Sequence, residues 1–111
     1  MLAARKQSEN ENFSKAFKQD IADIDNKRST TTGRRETVEK YKYYMSHQRE
    51  AFAEAVSRTI LLHPKMKPYQ DYAALFPNVM SYVRKLLIED GIIRPDHRGD
   101  AQIVREFERR R

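Results

Sequence analysis

The chain contains no cysteine among its 111 residues. Disulfide bonds, thiol nucleophiles and every zinc site built from cysteine are therefore excluded. The absence fits a reducing compartment, so we expect an intracellular protein that is cytoplasmic or nucleoid-associated.

Long apolar runs are also missing, and no stretch approaches the roughly 18 residues that a membrane span needs. The first residues, MLAARKQSENENF, lack the apolar core of a signal peptide. Glu9 and Glu11 argue against a transit peptide, which is poor in acidic residues. The sequence thus predicts no membrane partner.

No residue pattern typical of catalysis is present. His47, His63 and His97 lie far apart and lack the spacing of metal ligands. Three scattered glycines cannot form a phosphate-binding loop. We predict that the chain is not an enzyme and has no catalytic residue, no metal site and no cofactor.

Glycine is scarce, yet two of the three glycines, Gly91 and Gly99, lie eight residues apart. Helical spacing of apolar residues predicts a helix over 79–90 with Asn78 as its N-cap, and Gly91 then suits its C-cap. After Gly91 the pattern becomes strand-like. It predicts strands at 92–94 and about 102–106, joined by a hairpin turn at Gly99.

Three further helices are expected from apolar spacing and from the prolines, over about 12–25, 35–62 and 69–76. The first two carry more apolar helical face than a small domain covers, so we expect this face to contact a second chain, or the two helices to contact each other. The residues of this predicted partner or dimer interface are Phe13, Phe17, Ile21, Ile24, Val38, Tyr41, Met45 and Phe52. Tyr41, Tyr43 and Tyr44 cannot all be buried on one helical face, so some of them should contact solvent or a partner.

The order of elements resembles a winged helix-turn-helix. The stretch KLLIEDGII, Lys85–Ile93, is similar to the end of the recognition helix and the start of the wing in MarR- and ArsR-type regulators. The resemblance covers about residues 46–108 and implies a mostly α fold with a C-terminal β-hairpin. Ile88, where a polar residue is usual, and Pro95 in the wing depart from the pattern. The alternative fold is a helical bundle with a C-terminal hairpin.

Three regions follow from this organisation. Residues 1–34 form an N-terminal extension that is flexible apart from its short amphipathic helix and ends in a basic arm. Residues 35–108 form the winged-helix-like domain, and 109–111 form a basic tail.

The resemblance implies a DNA-contacting surface on the third helix and the wing. Its residues would be Asn78, Ser81, Tyr82, Arg84 and Lys85 on the helix, and Arg94, His97 and Arg98 at the wing tip. Asparagine and lysine can contact base edges, and serine and tyrosine can contact phosphate oxygens. The alternative is that these side chains are only the solvated faces of the fold.

Basic charge is abundant, with a formal net charge of +6. The largest local excess is the arm KRSTTTGRR, where Lys27, Arg28, Arg34 and Arg35 could track phosphates. As a solvated linker, the arm would need no function.

Two functions are consistent with these patterns. One is a small DNA-binding transcriptional regulator or nucleoid-type factor, with duplex DNA favoured over RNA. The other is a protein-interaction module, such as a small subunit or inhibitor of a larger nucleoprotein complex. With either function we expect a homodimer or a larger complex.

Overall fold

A computed structural model describes residues 9–27 and 37–109. The helices in chain order are α1 Glu11–Lys27, α2 Lys42–Met45, α3 Gln48–Leu61, α4 Lys67–Leu75, α5 Pro77–Glu89 and α6 Ala101–Arg109. Residues 37–40 are also helical, and the described part of the chain contains no strand. No described helix is long and apolar enough to cross a membrane.

Three of the predicted helices are confirmed as α1, α4 and α5. In α1, Phe13, Phe17 and Ile24 are buried, as their spacing predicts. Proline lies in the first turn of both α4 and α5, where the missing N–H is tolerated. Gly91 has the expected left-handed φ of 72°, and the Ile92 N–H closes the end of α5 by donating to the Leu87 carbonyl at 2.9 Å.

The predicted continuous helix over 35–62 is wrong, because it breaks at Ser46 and His47 between α2 and α3. His47 Nδ1 lies 2.7 Å from the Tyr43 carbonyl, and Ser46 Oγ lies 3.4 Å from the same oxygen. These local side-chain bonds compete with the helical bonds of the backbone. The chain then restarts as a helix, with the Ala51 N–H donating to the His47 carbonyl at 2.9 Å.

The predicted C-terminal hairpin, and with it the wing, is wrong. Residues 92–100 form a loop, and the segment expected to be the second strand is helix α6. Asp100 Oδ1 accepts hydrogen bonds from the backbone N–H groups of Gln102 and Ile103, at 3.0 and 3.2 Å, and so caps the helix. Winged-helix regulators need the hairpin, so the fold expected from that resemblance does not hold.

Gly99 is not a hairpin turn but a point of close approach between backbones. Its φ is 94°, and a Cβ atom there would lie 2.7 Å from the carbonyl carbon of Leu62. The loop therefore packs directly on the C-terminal end of α3, and only glycine fits.

Helix α5 is central, and α1 and α3 pack on it. Its buried side chains are Val79, Met80, Val83 and Leu87. The Phe13 ring meets the Phe52 ring edge-on at 5.1 Å, which confirms the expected contact between the N-terminal helix and the second helical segment.

The predicted partner interface lies mostly inside this core. Of its residues, Phe13, Phe17, Ile24, Val38, Tyr41 and Phe52 are buried in the single chain, and Ile21 and Met45 are partly buried against them. These side chains are covered by the same chain, so they offer little surface to a second copy. Helix α1 therefore belongs to the same core as α3 and α5.

Candidate nucleic-acid interface

The exposed side of α5 carries most of the predicted helix contacts. Asn78, Ser81 and Lys85 are exposed along one stripe that continues to Glu89, and Tyr82 and Arg84 are half-buried at its margins. The stripe is narrow because the opposite side of α5 is the centre of the core.

Two guanidinium groups converge beside this stripe. Arg84 Nη2 donates to the His97 carbonyl at 2.9 Å, and Arg98 Nη1 donates to the same oxygen at 3.2 Å. Arg84 Nη2 also donates to the Pro95 carbonyl at 2.9 Å. Within the described residues, neither arginine is paired with a carboxylate. Two like charges held this close favour an anion between or beside them.

The loop that carries Arg98 is fixed on the C-terminal end of α3. His97 Nε2 lies 2.8 Å from the Ile60 carbonyl, and the Asp100 N–H donates to the Leu61 carbonyl at 3.0 Å. These bonds satisfy carbonyls that a helix end leaves without intrahelical partners. His97, which we predicted to contact DNA at a wing tip, is therefore a half-buried anchor, and Arg94 is exposed nearby in the loop.

Ser81, Arg84 and Lys85 line a shallow surface depression of about 430 Å³ together with Ile88 and Glu89. A hydroxyl, a guanidinium and an ammonium group on one wall suit a phosphate oxygen. Glu89 lies at the far end of the depression and limits how far an anion can extend along α5.

Asn78 and Tyr82 are both engaged with α1. Asn78 Nδ2 donates to Asp20 Oδ1 at 2.8 Å, and the Tyr82 ring lies 5.6 Å from the Phe13 ring. Burial, and then the charge of Glu89, raises the pKa of Tyr82. Asn78, predicted to contact base edges, and Tyr82, predicted to contact phosphate oxygens, thus also hold α1 and α5 together.

Helix α1 also limits how α5 can meet DNA. The two helices run antiparallel, with Asn12 beside Leu86 and Glu89 at one end and Asp20 beside Asn78 at the other. A major groove about 12 Å wide admits one helix, and packed helices lie only about 8–10 Å apart. Because α1 lies beside α5 along its length, only the exposed stripe of α5 can face a groove. Phosphate contacts remain open to it.

Asp20 has a structural role that the sequence pattern did not reveal. Its carboxylate is fully buried and accepts hydrogen bonds from the Val79 N–H at 2.8 Å and the Asn78 N–H at 3.2 Å. Asp20 thereby caps α5 from another helix, and Asn78, expected as the N-cap, lies inside the first turn. Burial raises the pKa of Asp20, opposed by the hydrogen bonds from Val79 and Asn78.

Arg58 forms the second charged cluster, with partners on the same chain. Its guanidinium lies 5.0 Å from the Tyr41 ring centroid and 5.2 Å from that of Tyr72, and it donates to Glu54 at 2.6 Å and to the Pro68 carbonyl at 2.6 Å. Burial lowers the pKa of Arg58, but the bonds to Glu54 and Tyr41 outweigh it, so the net shift is upward. This cluster joins α3 to α4 and pairs the guanidinium with a carboxylate of the same chain.

The remaining predicted contacts lie in the arm. Lys27 is the last residue of α1. Arg28, Arg34 and Arg35 lie outside the described residues, as do Arg110 and Arg111 of the basic tail.

No group of histidine, aspartate and glutamate side chains that could hold a metal ion occurs in the part of the chain that the structure describes.

Comparison of the chain with known protein families, with curated proteins and with solved structures gives no match. Function therefore has to be argued from the residues of this chain alone.

Proposed function

We propose that this chain is a small nucleic-acid-binding protein that holds the phosphate backbone. The observation that carries the proposal is the convergence of Arg84 and Arg98 on the His97 carbonyl without a carboxylate partner, beside Lys85 and Ser81. We call these four side chains, Ser81, Arg84, Lys85 and Arg98, the phosphate face.

The distribution of charge supports the same function. Basic and acidic side chains are equal in number within the described residues, so the whole net charge of +6 comes from residues 1–8, 28–36 and 110–111. The helical body therefore attracts an anion only where basic side chains cluster locally. The basic segments outside the helical body add a sequence-independent attraction to phosphate groups.

Electrostatic binding of this kind makes a specific prediction about salt. Affinity for duplex DNA falls with salt by about 0.9 log units per tenfold change for each phosphate contact. Replacing Lys85 and Arg98 together with alanine should weaken binding to any sequence and flatten this slope by up to about 1.8. Fluorescence anisotropy at several salt concentrations measures both quantities.

The matched control removes the same charge from another surface. Lys15 and Lys18 are exposed on α1 and contribute nothing to the phosphate face. The double replacement of these two lysines with alanine should leave the slope nearly unchanged. If both double variants behave alike, the phosphate face is not the binding surface. If the wild-type protein binds neither duplex nor single-stranded DNA at low salt, the proposed function is wrong.

A second candidate function, a protein-interaction module, is favoured by α6. This helix has no buried residue, and its apolar side chains Ile103, Val104 and Phe107 are only half-covered. Val104 and Phe107 line a small surface depression with His63 and Lys65. An amphipathic helix with a partly exposed apolar side is a common docking surface for another protein.

A further inference from the structure

The break between α2 and α3 leaves an aromatic pair at the surface. The rings of Tyr43 and His47 are stacked, with centroids 4.0 Å apart and planes 18° from parallel. Tyr43 is 54% exposed, and His47 is exposed as well. The pair therefore presents planar ring surface to solvent, whereas Tyr41 and Tyr72 nearby are buried.

The pair is held in place before any ligand arrives. His47 Nδ1 lies 2.7 Å from the Tyr43 carbonyl and 3.1 Å from Ser46 Oγ, which fixes the imidazole ring. The Tyr44 ring meets Tyr43 edge-on at 5.5 Å, and the Tyr44 hydroxyl donates to Glu54 at 3.3 Å. Rings that are already fixed lose little rotamer entropy when a ligand stacks on them.

Cations are available in the segments that carry the pair. Lys42 and Arg49 are exposed there, and Lys40 lies with its Nζ 5.7 Å from the Tyr41 ring centroid, while the carboxylates Glu39 and Glu50 are exposed in the same segments. Exposed aromatic rings next to cations are the composition of surfaces that bind single-stranded nucleic acid, where the cations contact phosphates and the rings stack on bases. Bases within a duplex are stacked on one another and cannot reach such a surface.

We propose that the Tyr43–His47 pair is a stacking platform for an unpaired nucleobase, so that the nucleic acid bound by this protein is single-stranded at this point. The inference rests on the nucleic-acid-binding function proposed above and adds the class of nucleic acid. The platform lies at the N-terminal end of α3, and the phosphate face lies near its C-terminal end. Fourteen residues of helix separate them by about 20 Å.

Three probes separate stacking from backbone contact in an anisotropy titration. The first is a single strand of about 12 thymidines, a length within the usual site sizes of single-strand binders. The second is an abasic strand of equal length, and the third is a duplex. Wild-type protein should bind the thymidine strand about 5- to 140-fold more tightly than the abasic strand, the range expected for one base–aromatic stack. Tyr43→Ala should remove this preference and leave the affinity for the abasic strand unchanged.

Two further variants decide what kind of ligand the platform takes. Tyr43→Phe keeps the planar ring and should keep the preference, whereas Tyr43→Leu keeps apolar surface but no ring and should lose it. His47→Ala should reduce the preference because the stack loses its second ring. Circular dichroism checks that each variant folds, and the Phe and Leu variants decide the question if Tyr43→Ala does not.

The outcomes distinguish the two proposals. Equal binding of the thymidine and abasic strands by wild-type protein would overturn the stacking platform and leave the phosphate face standing. A Leu variant that behaves like wild type would overturn it too, since plain apolar contact would then suffice. Absence of binding to all three probes at low salt would overturn the proposed function together with this inference.

Discussion

Replacing Asp20 with alanine should destabilise the fold through a helix that does not contain the mutated residue. The carboxylate lies on α1 and accepts hydrogen bonds at the first turn of α5, from the Val79 N–H at 2.8 Å, the Asn78 N–H at 3.2 Å and Asn78 Nδ2 at 2.8 Å. Alanine removes all three acceptor contacts and leaves the N-terminus of α5 without its cap.

The expected loss in the free energy of unfolding follows from the N–H groups at the start of α5 that lose their acceptor. Loss of a helix cap costs about 0.5–2 kcal/mol, and a buried N–H without a partner costs about 1–3 kcal/mol. Val79 is fully buried, so water cannot replace the lost bond. Part of this cost is offset because a buried carboxylate no longer has to be desolvated. We expect a loss of about 2–3 kcal/mol and a fall in Tm of about 10–20 °C.

Urea denaturation and thermal melting of three proteins test this reasoning. Asp25→Ala, an exposed position on the same helix, removes the same charge and should change the free energy of unfolding by less than about 0.5 kcal/mol. Asp20→Asn keeps one acceptor oxygen but turns an N–H group toward the donors, and should cost about 1–2 kcal/mol. If Asp20→Ala costs no more than Asp25→Ala, the cap across the two helices does not stabilise the fold.

Two further predictions concern backbone and pH. Gly99→Ala should lower the free energy of unfolding by about 2–4 kcal/mol in urea denaturation, because a left-handed φ is combined with a Cβ only 2.7 Å from the Leu62 backbone. Gly91→Ala should lower it by about 1–2 kcal/mol, because Gly91 has a φ of 72° but open space around it. If the two variants lose the same amount of stability, the Gly99 backbone does not lie tightly against that of Leu62. Burial raises the pKa of Asp20 above its ordinary 3.8, so the native state binds this proton more tightly than the unfolded chain. The stability of wild type relative to Asp20→Asn should therefore fall as pH rises above about 4, and a rise instead would mean that the bonds from Val79 and Asn78 outweigh burial.

The sequence predicted correctly those helices and helix ends that depend on residues close together in the chain. The apolar spacing that begins at Phe13 and the left-handed glycine after α5 gave α1 and the end of α5 directly. The break at Ser46 and His47 was not predicted, because apolar spacing continues through it. What ends the helix is a pair of side-chain bonds to the Tyr43 carbonyl, and such bonds compete with helix in a way that apolar spacing does not show.

The C-terminal error had a different cause. Ile103, Val104 and Phe107 follow helical spacing as well as they follow a strand, and Asp100 before them is a good N-cap. This helical signal was present in the sequence, but we interpreted the segment as a strand because the pattern after Gly91 is also strand-like. Gly99 was expected to be a hairpin turn because glycine allows a positive φ. The contact that requires glycine is instead with a residue 37 positions earlier in the chain.

The candidate site was only partly predictable. Exposure of Ser81 and Lys85 follows from the apolar spacing of α5, so these positions could be chosen from sequence. The sharing of the His97 carbonyl by Arg84 and Arg98 depends on how the loop folds back onto α3, and no local pattern contains that information. Asp20 could not be identified as a cap, because its partners lie 58 and 59 residues away.

The docking of α1 against α5 has a consequence for synthesis. Helix α1 is made first, but the partners of Phe13, Phe17 and Asp20 are complete only when α5 has been made. At about 5–20 residues per second, the 62 residues from 28 to 89 take about 3–12 s to translate. A 17-residue helix is only marginally stable alone, so its aromatic side chains remain uncovered for that time. Until α5 has been made, the apolar side of α1 is therefore open to chaperones or to aggregation.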